Sequence, residues 1–178
     1  MIPDRLNQAM NEQIKNELES FYIYLSMAAY FHSKSLDGMA HWMRCQAHEE
    51  MIHAIKFMDH IQDRGGKVTL FNLDQLKTQW SSPKEAWQDA YKHEQFVSSK
   101  INDLIAIARE VRDYPSEPIL AWFADEQIEE EATSSKITDQ IEMVGDDKSG
   151  LLMLDRELAT RAFPAGSPLD PAAYNQAG

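Results

Sequence analysis

The seven glycines and seven prolines of this 178-residue chain are confined to a few places, and that confinement limits the possible folds more than any other feature. Both residues are costly inside helices and useful at their ends. Pro3, Gly38, the pair Gly65 and Gly66, Pro83, Pro115 with Pro118, Gly145, Gly150 and a group from Pro164 onward account for all of them. Between them, residues 4–37, 39–64, 84–114 and 119–144 run uninterrupted. Each segment carries apolar residues at alternating steps of three and four, the spacing of one buried helix face. The pattern predicts an all-α protein of four long helices. Ser82, Pro83 and Glu85 read as the N-cap, first-turn proline and N3 acid of a capping box, which marks the start of the third helix.

Connection lengths set the topology. Short connections join antiparallel neighbours, whereas a long one can run back along a bundle. The first and last connections are short, but residues 65–82, at up to about 3.3 Å each, can span a helix of about 39 Å. The second and third helices then run parallel, giving an up-down-down-up bundle with one long crossover. Val68, Leu70, Phe71, Leu73 and Leu76 make that crossover apolar enough to pack on a surface, its own or another subunit's. Leu151, Leu152, Met153, Leu154 and Leu158 predict a short fifth helix that packs between subunits. One domain is expected over residues 1–162, followed by a Pro/Ala/Gly-rich tail over 163–178 that is extended or disordered.

Charge and hydropathy exclude several function classes. Seventeen Lys and Arg against twenty-nine Asp and Glu leave a net charge of −12, with a pI near 4.8, which repels a phosphate backbone and argues against nucleic acid as a partner. Mean hydropathy is −0.49, and no run approaches the roughly 20 apolar residues of a membrane span. A soluble protein is expected. The lone Cys45 cannot form an internal disulfide, and no export signal marks the start, so a cytoplasmic location is expected.

Read along its seam, each helix breaks its apolar pattern with a chemically similar residue. The first runs Met10, Ile14, Glu17, Phe21, Tyr24, Ala28, Phe31, and the second Met39, Met43, Gln46, Glu50, His53, Phe57, His60, with Glu49 beside it. The third runs Trp87, Ala90, Glu94, Val97, Ile101, Leu104, Ala108, Val111. The fourth runs Leu120, Phe123, Gln127, Glu130, Ser134, Ile137, Ile141, Val144, with Glu126 and Glu129 close by. Measured from the helix ends, Glu17 matches Glu50 and His53 in height, and Glu94 matches Glu130. One layer of the bundle should hold them all. Two like charges about 4 Å apart repel by about 4 kcal/mol at an effective dielectric of 20, so the layer calls for cations. Carboxylates with one imidazole and no thiolate suit iron or manganese before copper. Glu50 and His53 at i and i+3 share a helix face, so one ion can take both. Glu94 and Glu130 leave room for a second ion, with Glu50 able to bridge.

Asn16 with Glu17, the run Glu49 to His53, the run Tyr91 to Gln95 and the run Glu126 to Glu131 resemble the ferritins, specifically the haem-free bacterial ferritins, over about residues 5–162. The resemblance implies a first iron on Glu17, Glu50 and His53 and a second on Glu50, Glu94 and Glu130, with Gln127 beside them. It also implies a third iron position at Glu49, Glu126, Glu129 and Glu130, and a neighbouring tyrosine at Tyr24, with Trp122 close to the centre. Where bacterioferritins repeat Glu-x-x-His on the fourth helix, this chain has Gln127 and Glu130, so the centre is asymmetric. Met51 stands where bacterioferritins hold haem, but haem-free relatives often carry methionine there too, and haem is not expected.

The function implied is a ferroxidase that oxidises Fe(II) with oxygen or hydrogen peroxide and stores the Fe(III) mineral in a hollow homo-oligomer of twenty-four subunits. A passive shell subunit and a haem-containing relative are the alternatives. A rubrerythrin-like protein would need paired Cys-x-x-Cys motifs that one cysteine cannot supply.

Overall fold

The computed structural model describes residues 1–163 and is all-helical among them. Its long helices are α1 (Asp4–Ser33), α2 (Asp37–Asp63), α3 (Pro83–Glu110) and α4 (Glu117–Val144), followed by the short α5 (Lys148–Leu158). Among the described residues no helix is long and apolar enough to cross a membrane. The expected tail lies outside the described residues, apart from Phe163, whose ring meets His41 edge-on at 4.7 Å.

α1 packs against α2 and α3 against α4. The crossover between α2 and α3 runs the length of α1: Asn11 bonds Lys67 and Thr69, Lys15 and Glu19 meet Asp74, Ser26 donates to the Lys77 carbonyl, and Tyr30 packs on Trp80. It therefore returns from the end of α2 to the level where α2 began. α2 and α3 run parallel, and the bundle is up-down-down-up. Of the crossover's apolar residues, Val68, Leu73 and Leu76 are half-buried while Leu70 and Phe71 stay exposed. At the start of α3 the Ser82 hydroxyl accepts from the Glu85 amide at 3.1 Å, and the Glu85 carboxylate reaches back to Ser81 rather than to Ser82.

Two boundaries differ from the sequence reading. The break between α1 and α2 falls at residues 34–36, where Ser35 takes φ 57. Gly38, expected to mark the break, instead sits buried in the first turn of α2. It is needed there for close approach: a Cβ would lie 1.7 Å from the Asp155 carbonyl oxygen. α3 ends at Glu110 rather than near 114, because Arg112 turns the chain at φ 55 into the short 3₁₀ turn Tyr114–Ser116.

The fifth helix finds part of its packing within its own chain. α5 packs on its own bundle, with Leu154 and Leu158 buried in its core and Asp155 capping α2 by accepting from the Met39 amide at 2.8 Å. Its apolar face finds partners at the open end of α2, while Leu152 and Met153 remain exposed.

The core has two halves. Near α5 it is built from Tyr24, Phe31, Met39, Met43, Trp80, Trp87, Ile137 and Ile141, and at the far end from Leu6, Met10, Ile14, Phe57, Ile61, Ile101, Leu104 and Phe123. Each fully buried large side chain contributes about 1.5–3 kcal/mol. A polar layer separates the halves.

Gly38→Ala should destabilise the protein, because overpacking at up to about 3 kcal/mol exceeds the roughly 1 kcal/mol gain in helix propensity. Thermal denaturation should show a lowered midpoint; an unchanged or raised midpoint would mean that α5 is not held by this contact.

Candidate metal centre

All four long helices contribute to the polar layer, because each breaks its apolar seam at the same height. α1 supplies Glu17, α2 Glu50 and His53, α3 Glu94, and α4 Gln127 and Glu130. Glu17, Glu50 and Glu94 are almost completely buried, at 0%, 1% and 2% exposure. Glu17, Glu50 and His53 bring one ligand atom each within 4.8 Å of one another, and so do Glu50, Glu94 and Glu130. Glu50 belongs to both groups.

Hydrogen bonds fix part of each group and leave specific atoms open. Gln13 donates to Glu17 Oε1 at 2.8 Å. Gln46 donates to Glu50 Oε1 and Glu130 Oε1, both at 2.9 Å, tying α2 to α4 across the layer. Tyr24 donates its hydroxyl proton to Glu94. Gln127 donates to Glu94 Oε2 and to the Glu94 carbonyl, each at 3.3 Å, so its amide nitrogen faces Glu94. Glu17 Oε2, Glu130 Oε2 and His53 Nδ1 are buried with no hydrogen-bond partner. His53 Nδ1 lies 3.4 Å from Glu50 Oε2 and 4.0 Å from Glu17 Oε2. Orphaned buried polar atoms cost about 1–3 kcal/mol each; a cation coordinated by them would remove that cost. The donor set of carboxylate oxygens and one imidazole fits hard or borderline divalent ions such as iron.

Electrostatics point the same way. Burial pushes the Glu17 carboxyl up to about 8, with His53 opposing and Glu50 assisting. Burial and the Glu50 charge likewise raise Glu94 to about 8, and burial with three neighbouring carboxylates holds Glu130 well above the usual range. Burial acts on Glu50 in the same direction, but His53 and Gln46 outweigh it and leave Glu50 below its ordinary value. Burial alone would lower His53, yet its contact with Glu50 and the Glu17 charge raise it to about 9. Burial, then the Glu94 charge, keeps Tyr24 protonated well above its ordinary value. A cation bound by these groups would have to displace the protons that burial favours on Glu17, Glu94 and Glu130.

Beside the layer, a cavity of about 230 Å³ is lined by Glu49, Glu126, Glu129 and Glu130, together with Trp42, Gln46 and Arg161. Among the described residues, only the two groups named above bring three ligand atoms within 4.8 Å. Glu49 instead pairs with Arg161, whose Nη2 lies 2.5 Å from Oε2. Trp122 packs edge-on against His53 at 5.5 Å, with the Lys56 ammonium 4.1 Å above its ring. His93 is outside both groups and bonds Ser20 at 2.7 Å.

Gln13 and Arg161 are neighbours of the layer that the sequence reading left out, and Gln46, placed on the second seam, was given no part in it. The two glutamines each precede a ligand carboxylate by four residues, the spacing of facing helix positions, so a signal for them was present. Arg161 had no such signal.

The ferritin-like domain family model matches residues 7–144. The chain belongs to the ferritin family. It is 39% identical to a bacterial non-heme ferritin of Bacteroides fragilis over 161 residues, 90% of this chain and all of that protein. It is 37% identical to one from Staphylococcus epidermidis, covering 92% of this chain and 98% of that one. Among solved structures, an open-pore ferritin from the archaeon Archaeoglobus fulgidus superimposes with a TM-score of 0.89 at 40% identity, over 91% of this chain and all of the other.

The stability of the metal-free protein should fall as pH rises from about 5 to about 9. Glu17 and Glu94 keep their protons to about 8 when folded, so above the ordinary carboxyl value of 4.5 only the unfolded chain releases them and folding loses stability through that window. His53, raised from 6.5 to about 9, adds stability below 6.5 that is lost as pH passes 9. Denaturation midpoints across this range, with and without saturating zinc, should show a downward slope that zinc flattens; a metal-free profile without slope would refute the proton inventory.

Proposed function

We propose that this protein is an iron-storing ferroxidase: it binds two Fe(II) ions as substrate, oxidises them with oxygen or hydrogen peroxide, and passes Fe(III) to a mineral held inside a shell of identical subunits, twenty-four in number. The observation that carries this reading is the pair of buried ligand groups sharing Glu50, with Glu17 Oε2, His53 Nδ1 and Glu130 Oε2 left without hydrogen-bond partners. Glu17, Glu50 and His53 would take the first ion, and Glu50, Glu94 and Glu130 the second.

The chain's own groups explain why oxidation would be favoured there. Each ion meets mostly carboxylates, which bind Fe(III) more strongly than Fe(II) because the added charge is matched by fixed negative oxygens in a poorly solvated layer. Two adjoining ions deliver two electrons together, enough to convert oxygen to hydrogen peroxide or peroxide to water. Tyr24 and Gln127 orient Glu94, and Gln46 orients Glu50 and Glu130, so the ligands meet the substrate without reorganising. The apolar halves above and below keep bulk water from the layer. Glu49, Glu126, Glu129 and Glu130 would form a third iron position on the way out. The non-heme relatives support a reading without haem.

Aerobic addition of Fe(II), followed by ferric absorbance, tests the reading. The natural protein should oxidise iron well above the rate of buffer, and Glu50→Ala or His53→Ala should fall to that rate while size-exclusion chromatography shows the assembly intact. Undiminished oxidation in both variants would place the chemistry elsewhere, and a natural protein no faster than buffer would leave a passive shell subunit.

A further inference from the structure

The cavity beside the layer already contains a cation of the chain's own. After α5 the backbone turns back along α2, where the Arg161 carbonyl meets His41 Nε2 at 2.7 Å and Phe163 packs on the same imidazole. This places the Arg161 guanidinium 4.2 Å over the Trp42 ring, with Nη1 donating to Gln46 Oε1 at 3.0 Å and Nη2 to Glu49 Oε2 at 2.5 Å. The side chain is mostly buried, at 23% exposure, and its partner Glu49 is at 33%. Glu94, Glu126, Glu129 and Glu130 also line the cavity, and Glu130 Oε2 is buried without a hydrogen-bond partner. The similarly buried pair of Arg64 with Asp113 lies outside both ligand groups and their neighbouring cavity, so Arg161 is the guanidinium among the cavity's lining residues.

We infer that Arg161 is a resident competitor for the third cation: it holds Glu49 in an ion pair and fills the position's charge, so that a third metal ion binds only when the segment after α5 releases its guanidinium. The inference rests on the two-ion reading above and adds to it the residue that sets third-cation affinity. A guanidinium stays charged at any physiological pH. Its bond occupies Glu49 Oε2, one of the two oxygens open to a metal, and its charge repels an incoming cation at close range. The same fork also holds Gln46, whose amide positions Glu50 and Glu130, so releasing Arg161 frees the carboxamide that links the cavity to the ligand layer. Arg161 does not touch the two-ion groups and acts through Glu49 and Gln46.

Anaerobic equilibrium titration of the assembled protein with zinc, a redox-inert probe, separates the possibilities. The natural protein should bind two ions per subunit tightly and a third weakly. Arg161→Gln should tighten the third step by about tenfold or more and shift the first two, which it reaches only through Gln46, by much less, whereas Arg161→Lys, which keeps the charge, should stay near the natural value. Arg161→Gln combined with Glu49→Gln should lose the gain. A third step that is unchanged or weaker in Arg161→Gln overturns the inference, as does a gain that survives removal of Glu49. Failure of the natural protein to bind two ions would instead overturn the two-ion reading. Size-exclusion chromatography of each variant reports whether assembly is retained.

Discussion

The structure depends on a layer of carboxylates buried at mid-height in a bundle that is otherwise apolar. Glu17, Glu50, Glu94 and Glu130 come from four different helices, and among the described residues the ion-pair partner of Glu17 and Glu50 is His53 rather than a lysine or arginine. The bundle tolerates this because apolar clusters above and below supply the stabilisation, including the stacked pair Phe57 and Phe123 at 4.1 Å. The layer itself contributes unfavourably when empty, through desolvation and like-charge repulsion. A binding site that weakens its own fold in this way is prepared for a charged ligand, since binding returns the stabilisation that the side chains forgo.

A second constraint is orientation. The ligand oxygens are only partly free: glutamine amides and one tyrosine hydroxyl occupy Glu17 Oε1, Glu50 Oε1, Glu130 Oε1 and both oxygens of Glu94. These bonds leave the remaining oxygens facing one another around Glu50. Gln127 takes a role here that a second histidine would fill differently, because its amide nitrogen donates to Glu94 and cannot also present a basic nitrogen to an ion. The two ligand groups are therefore unlike: one includes an imidazole, and the other consists of three carboxylates.

Much of this was legible before any coordinates. The Gly and Pro punctuation located the helices, the length of residues 65–82 allowed the crossover, and the three-four seams placed Glu17, Glu50, His53, Glu94 and Glu130 at one height. These signals are readable because they are local: helical periodicity and chain reach depend only on nearby residues. Gly38 was misread as a break because glycine's need for close packing against Asp155, more than a hundred residues away, leaves no local trace. That Leu154 and Leu158 of α5 dock on their own bundle is equally silent in the sequence, since an apolar face does not name its partner.

The sequence by itself determined which residues could be ligands, that all four helices would bring them to one level, and that only cations would make that level comfortable. The tertiary structure decided which oxygens of Glu17 and Glu130 are left open, that Gln46 joins α2 to α4 across the layer, and that Arg161 returns after α5 to pair with Glu49. The reason is physical. Periodicity sets the height and facing of a side chain on its own helix, whereas hydrogen-bond partners and stray charges are set by how separate elements meet, and that is specified only by the packed whole.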